Sequence, residues 1–131
     1  MTGYAFVLAS GRLERVQAVS NVASVAAASD VPVDVFATMD GLEAFDADRV
    51  ATGDFDVGPV GEAMLAGADE MALFTENFAQ AKSIGPLSVY ACELSMDLLD
   101  KDLDDYDDVV DEVLGVSGFL GRAEDKQVVF V

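Results

Sequence analysis

Cys92 is the residue of this sequence best suited to covalent chemistry, because a cysteine thiolate is a strong nucleophile. It stands at the end of the apolar run of residues 88–91, and residues 93–99 follow it with the pattern of a short helix. Unpaired N–H groups at a helix N-terminus stabilise a thiolate. The sequence therefore predicts sulfur chemistry at a junction between a strand and a helix.

The composition narrows the chemistry open to this thiol. The chain has one cysteine and no histidine, which excludes an intramolecular disulfide, a Cys–His dyad and a histidine-based metal site. Activation is left to helix N–H groups and to Ser95, whose hydroxyl and backbone N–H can donate to the sulfur. Glu93 opposes it, since a nearby carboxylate raises a thiol pKa. A small buried side chain without chemistry is the alternative role for Cys92.

Strands alternate with helices along the sequence, which predicts one α/β domain over residues 1–131, with three layers and about five mostly parallel strands. Parallel strands place their carboxyl ends at one edge of a sheet, where ligands bind. Ser10 and Gly11 after the first strand, and Met39 after the second, are expected at that edge with Cys92. The predicted strands are residues 4–9, 31–38, 87–91, 112–114 and 127–131, and the predicted helices are 13–29, 61–66, 68–83, 93–99 and 117–123.

Charge excludes several classes of partner. The formal net charge is -18, with 25 acidic against 7 basic residues, and such a field repels nucleic acid and anionic lipid. The apolar content of 52% is that of a folded chain. A chain with this charge folds most readily at high salt, because salt screens the repulsion between its acidic side chains. With no apolar stretch near the roughly 18 residues of a membrane span and no basic leader, we expect a soluble protein in the cytoplasm of a halophile.

Two loops resemble ligand sites only in part. Four aspartates fall at calcium-loop spacing in residues 100–111, but the sixth position of that loop is Asp105 where a glycine is required. A solvated acidic loop is the preferred interpretation, and no metal is predicted. Ser10, Gly11 and Arg12 follow a strand as a phosphate-binding loop does, but one glycine is a weak signal, and helix capping is favoured. The loop at residues 52–59 is predicted to cover a site.

The segment around Cys92 resembles a known family. Cys92-x-x-Ser95-Met96-Asp97-Leu98 is similar to the Cys-x-x-Ser-Met-Asp-Leu segment of DsrE/DsrF-like proteins, which are often labelled peroxiredoxin-like. Residues 8–11 resemble the family's first strand and loop, residues 33–41 its second strand, and residues 115–120 the helix start near its C-terminus. Asp100 departs from the pattern, since a glycine commonly follows this stretch in the family.

The resemblance implies a flavodoxin-like variant that forms homo-oligomers and carries sulfur as a cysteine persulfide. Cys92 would accept the sulfur, and Ser95 and Met96 would shape its pocket. A small TusA-like carrier or a rhodanese-like donor would be the partner, with no metal or cofactor. Peroxide reduction would need an outside resolving thiol and ranks lower. The alternative is a non-catalytic oligomeric or regulatory subunit with a structural Cys92.

Overall fold

A computed structural model describes residues 3–67 and 72–131 of the chain. Five strands form one all-parallel sheet in the order β4-β3-β2-β1-β5. The strands are β1 (Tyr4–Leu8), β2 (Val33–Ala37), β3 (Leu87–Cys92), β4 (Glu112–Leu114) and β5 (Gln127–Phe130). The helices in this part of the chain are α1 (Leu13–Ala28), α2 (Asp40–Glu43), α3 (Ala47–Thr52), α4 (Pro59–Ala66), α5 (Phe74–Ile84), α6 (Glu93–Leu99) and α7 (Val116–Arg122).

Helices α1 and α5 cover the first face of the sheet. Helical spacing brings Leu13, Val16, Ser20, Ala23 and Ala27 onto the buried side of α1, as the sequence predicts. Phe74 and Phe78 of α5 pack with Phe45, and the three rings form the aromatic part of this main core. The strand residues in the same core are Phe6, Leu8, Val33, Val35, Ala37, Leu87, Val89 and Ala91.

The second face has a thinner cover. Its core contains Phe36, Tyr90 and Cys92 from alternate strand positions, together with Phe119 and Ala123. Phe119 belongs to α7, and its ring stacks on Phe36 at a centroid distance of 4.6 Å. Among the described residues α7 is the one helix that contributes to this core, so a seven-residue helix forms the third layer. This arrangement confirms the predicted three-layer α/β fold of the flavodoxin-like kind.

The crossovers explain the two unequal faces. From β1 to β4 each strand lies beside its predecessor, and right-handed connections place their helices on one face. The chain then returns from β4 past the whole sheet to β5, and this reversed connection carries α7 over the other face. The direction of the connections therefore changes after β4.

The predicted elements agree with the structure except in the middle of the chain. The strands, α1, α6 and α7 lie where expected within a few residues, and the sheet is all parallel rather than mostly parallel. Helix α3 was not predicted; Asp46 caps it, its carboxylate accepting from the N–H of Asp48 and of Arg49. The first part of the helix predicted at 68–83, with Met71, lies outside the described residues. None of the described helices is long and apolar enough to cross a membrane.

Candidate functional site at the end of β3

Cys92 lies at the point where the chain leaves two neighbouring strands in opposite directions. It is the last residue of β3 and the N-cap of α6, and it pairs with Leu114 at the end of β4. The chain runs from β3 into α6, whose Met96 packs in the core of the first face, and from β4 into α7 on the second face. Such a switch point is where open parallel sheets bind their ligands.

The surroundings of Cys92 favour its thiolate form. Burial raises the pKa of the thiol, but hydrogen bonds from the hydroxyls of Ser95 and Thr38 and from the backbone N–H groups of Ser95 and Leu94 lower it. The hydrogen bonds prevail, and the pKa of Cys92 lies below its ordinary value. The local arrangement thus does what the sequence predicts for a strand-to-helix junction, with Thr38 as an additional donor.

Met39 completes the arrangement through its backbone. Its N–H donates to Ser95 Oγ at 2.8 Å, and Ser95 Oγ lies 3.4 Å from Thr38 Oγ1. Met39 has φ 52° and ψ -135°, a conformation that residues other than glycine rarely adopt. Strained backbone of this kind is concentrated at functional sites, where the surrounding structure holds it in place. Here the strain directs an N–H toward the residue that supports the thiol.

The thiol itself is closed off from solvent. Cys92 is 1% exposed and belongs to the core under α7, together with Phe119. Beside it, a cavity of ≈ 160 Å³ is lined by its hydrogen-bond partner Ser95 and by Met39, Asp40, Glu43, Leu98 and Leu99. A reaction at the sulfur therefore needs a local opening of the cover over the second face.

Ser10 and Gly11 line a neighbouring cavity rather than that of Ser95. This cavity measures ≈ 480 Å³ and shares Asp40 and Glu43 with the first, so the two adjoin at the carboxyl edge of the sheet. Gly11 and Gly41 allow the close approach of the two loops, because a Cβ at Gly11 would collide with the carbonyl of Asp40 and one at Gly41 with that of Leu8. Asp56, from the loop predicted to cover a site, lines the larger cavity.

Met96 does not line either cavity. It is buried in the core of the first face, whereas its neighbour Ser95 faces the cavity beside Cys92. Successive residues of a helix point about 100° apart, so the two adjacent side chains take different environments. Thr38 was not singled out in the sequence, although a polar residue directly after a buried strand is a recognisable signal at such an edge.

Several aspartates of the acidic loop, residues 100–111, accept hydrogen bonds from backbone N–H groups of the protein. Asp102 and Asp105 cap the 3₁₀ turn at Leu103–Asp105, each accepting from the backbone N–H of the other. Asp111 binds Lys82 and accepts from the backbone N–H of Val89 at 2.7 Å. Asp100 adopts the left-handed conformation, with φ 53°, that a glycine would otherwise supply at the end of α6. Within residues 3–67 and 72–131, no three acidic or cysteine side chains are grouped so as to hold a metal ion.

Comparison with known proteins supports the fold and adds no function. No protein-family model matches the sequence, and no curated protein matches it. The chain is similar in structure to a solved protein of unknown function from Methanobacterium thermoautotrophicum, with a TM-score of 0.63 and 16% sequence identity. The match covers 100% of both chains, so the likeness extends over the whole α/β architecture.

Proposed function

We propose that this protein is a sulfur-relay protein of the DsrE/DsrF-like kind, with Cys92 as the sulfur acceptor. The observation that carries the proposal is the position of Cys92 at the switch point of the sheet and at the start of α6, where nearby hydroxyl and backbone N–H groups lower the pKa of its thiol. A persulfide carrier requires a thiolate of lowered pKa in a pocket that shields the outer sulfur. Because Cys92 is buried, its sulfur would meet donor and acceptor after a local opening of the cover over the second face.

The transfer is a thiol–disulfide type of exchange. The Cys92 thiolate attacks the outer sulfur of a donor persulfide, the S–S bond of the donor breaks, and the donor leaves as a thiolate. The new Cys92 persulfide passes on its outer sulfur when an acceptor thiolate attacks it, and Cys92 leaves as the thiolate. The N–H and O–H groups around the sulfur stabilise the negative charge at both stages. No external oxidant or reductant enters the balance.

Intact-mass measurement tests the proposal. The protein is incubated with inorganic polysulfide, or with thiosulfate and a rhodanese-like donor, and then examined under non-reducing conditions. We expect a gain of one sulfur atom that is absent from Cys92→Ser and is lost when a TusA-like carrier thiol is added. Absence of the adduct with every donor would favour the second candidate, a non-catalytic subunit, to which the burial of Cys92 points.

We also propose that the protein forms a homo-oligomer in a halophilic cytoplasm, with the second face as the contact between copies. This face leaves Phe130 of β5 74% exposed, next to exposed Val128, and exposed Leu120 lies on α7. Exposed apolar groups on a sheet are costly for an isolated chain. Light scattering after size exclusion in high salt should show that the wild type is an oligomer and that the Phe130→Ser variant is a monomer. A monomeric wild-type protein would contradict the proposed oligomer.

A further inference from the structure

Helix α6 exposes apolar side chains beside the candidate site. Leu98 is 69% exposed, and Leu94 and Leu99 of the same seven-residue helix are exposed as well. Met39, which lines the same cavity as Leu98 and Leu99, is also exposed. We call these four residues the α6 patch. In a chain with a net charge of -18, grouped apolar side chains at the surface are typical of an interaction site.

Three of the four residues of the α6 patch line the cavity at Ser95. Met39, Leu98 and Leu99 form the apolar part of its lining, and Ser95 is the buried residue among the lining groups. Ser95 in turn donates to the sulfur of Cys92. A group that enters the cavity therefore comes to rest one side chain away from the thiol.

The size of the cavity favours a side chain over a free small molecule. Its volume of ≈ 160 Å³ lies well below the roughly 300–1,000 Å³ of typical small-molecule sites. One apolar side chain fits such a space, and protein interfaces are commonly anchored by a single side chain inserted into a pocket. The apolar rim is then the surface that the surrounding part of the partner covers.

Charge determines what kind of protein can dock there. Exposed Glu93, Asp97 and Asp100 flank the leucines on the helix itself. The next cation in sequence, Lys101, is engaged with Glu43 at 2.7 Å and Asp46 at 2.8 Å. A second copy of the chain docked by the same face would set these carboxylates against its own, whereas a basic partner would neutralise them.

We propose that the α6 patch binds a segment of another protein that places one apolar side chain between lysine or arginine residues. This proposal rests on the proposed function, since the bound segment would belong to the protein that delivers sulfur to Cys92 or removes it. The apolar side chain fills the cavity at Ser95, and the basic residues lie against the carboxylates of α6.

Binding is measured on the Cys92→Ser protein, so that failure of sulfur uptake and failure of docking are distinguishable. The probe is a fluorescein-labelled, cysteine-free peptide with a central leucine flanked by lysines, followed by fluorescence anisotropy at fixed salt. We expect Leu98→Ser to weaken binding about tenfold, because the apolar contact is lost. Val25→Ser is the matched control, since Val25 on α1 is likewise 69% exposed and lies outside the α6 patch.

Three results would overturn the proposal. Equal binding of the lysine peptide to Leu98→Ser and to the parent would mean attraction to the acidic surface in general. Equal binding of a peptide with glutamates in place of the lysines would remove the role of charge. If the wild-type protein is an oligomer and the Leu98→Ser variant is a monomer, the α6 patch binds a second copy of the chain instead.

Discussion

The backbone N–H of Met39 donates to Ser95 Oγ at 2.8 Å, and this bond ties the end of β2 to the first turn of α6. Because the serine oxygen accepts from Met39, its own proton is left for its other neighbours, Thr38 Oγ1 and the sulfur of Cys92. Ser95 therefore links the strained backbone of Met39 to the charge state of the thiol.

Replacing Ser95 with alanine should raise the pKa of the Cys92 thiol, because one of its donors is removed. We expect iodoacetamide to label the native variant about tenfold more slowly at neutral pH, the effect of one hydrogen bond to a charged group. Ser10→Ala is the control, since Ser10 lines the neighbouring cavity. Unchanged rates in Ser95→Ala would show that Ser95 does not support the thiolate.

The same pKa has a stability consequence whose direction follows from linkage. The pKa of Cys92 is lower in the folded protein, so the thiolate stabilises the fold fully above the unfolded value of about 8.5. This contribution is lost as the pH falls through the folded pKa. The pH profile of labelling in the wild type should follow the folded value, and that in Ser95→Ala should move to higher pH.

The junction at Cys92 could be predicted from sequence because its signals are local. An apolar run, a single cysteine and a helical pattern identify β3 and α6 without reference to the rest of the chain. Helix α3 was missed since it has six residues, no buried side chain and a weak pattern, although Asp46 and Gly53 are recognisable caps.

The partners of the thiol depend on tertiary structure, which the pattern of residues does not contain. Thr38 and Ser95 are 57 positions apart, and they meet because β2 and β3 are neighbours in register. Likewise, the place of α7 on the second face follows from the return of the chain to β5, beside β1. Tertiary structure also separates two adjacent residues of α6, since Met96 packs in the core of the first face while Ser95 lines the cavity.

Two valines on α1 provide a direct measure of core packing on the first face. Val16 is fully buried and Val25 is exposed, and both stand in the same helix. Val16→Ala should lower the free energy of unfolding by about 2–3 kcal/mol more than Val25→Ala does. The reason is that only the substitution at Val16 removes buried methyl groups and leaves a cavity. Guanidinium unfolding in high salt measures both. Equal losses would mean that α1 does not pack on the sheet as described.

Tyr106 should make the protein sensitive to alkaline pH. Burial and the nearby Glu43, which accepts from its hydroxyl at 3.3 Å, raise the pKa of Tyr106 to about 12. The stabilisation is complete below the unfolded pKa of about 10 and is lost as the pH rises through the folded value. Between these values Tyr106→Phe should lose roughly 1–3 kcal/mol less stability than the wild type. Parallel stability curves for the two proteins would contradict this.

Asp34 holds the cover over Cys92 by charge. It is buried in β2 on the second face, where its carboxylate lies 3.4 Å from Arg122 and 3.5 Å from Lys126. Arg122 ends α7 and also lies over the ring of Tyr90 at 5.0 Å. Both cations belong to the segment that carries the chain from α7 to β5, so the ion pairs fasten the far end of α7 to the sheet.

Asp34→Asn should therefore loosen α7 and expose the thiol. Without the carboxylate of Asp34, the largely buried ammonium of Lys126 loses its ion pair to β2, which destabilises the packing of α7 on the sheet. We therefore expect a thiol reagent to label Cys92 at least about tenfold faster under native conditions. Asp111→Asn is the matched control, because it breaks the ion pair with Lys82 away from α7. Hydrogen exchange at Phe119 should accelerate in Asp34→Asn alone. If both variants open Cys92 equally at equal global stability, the thiol is reached by global unfolding, and α7 is not its gate.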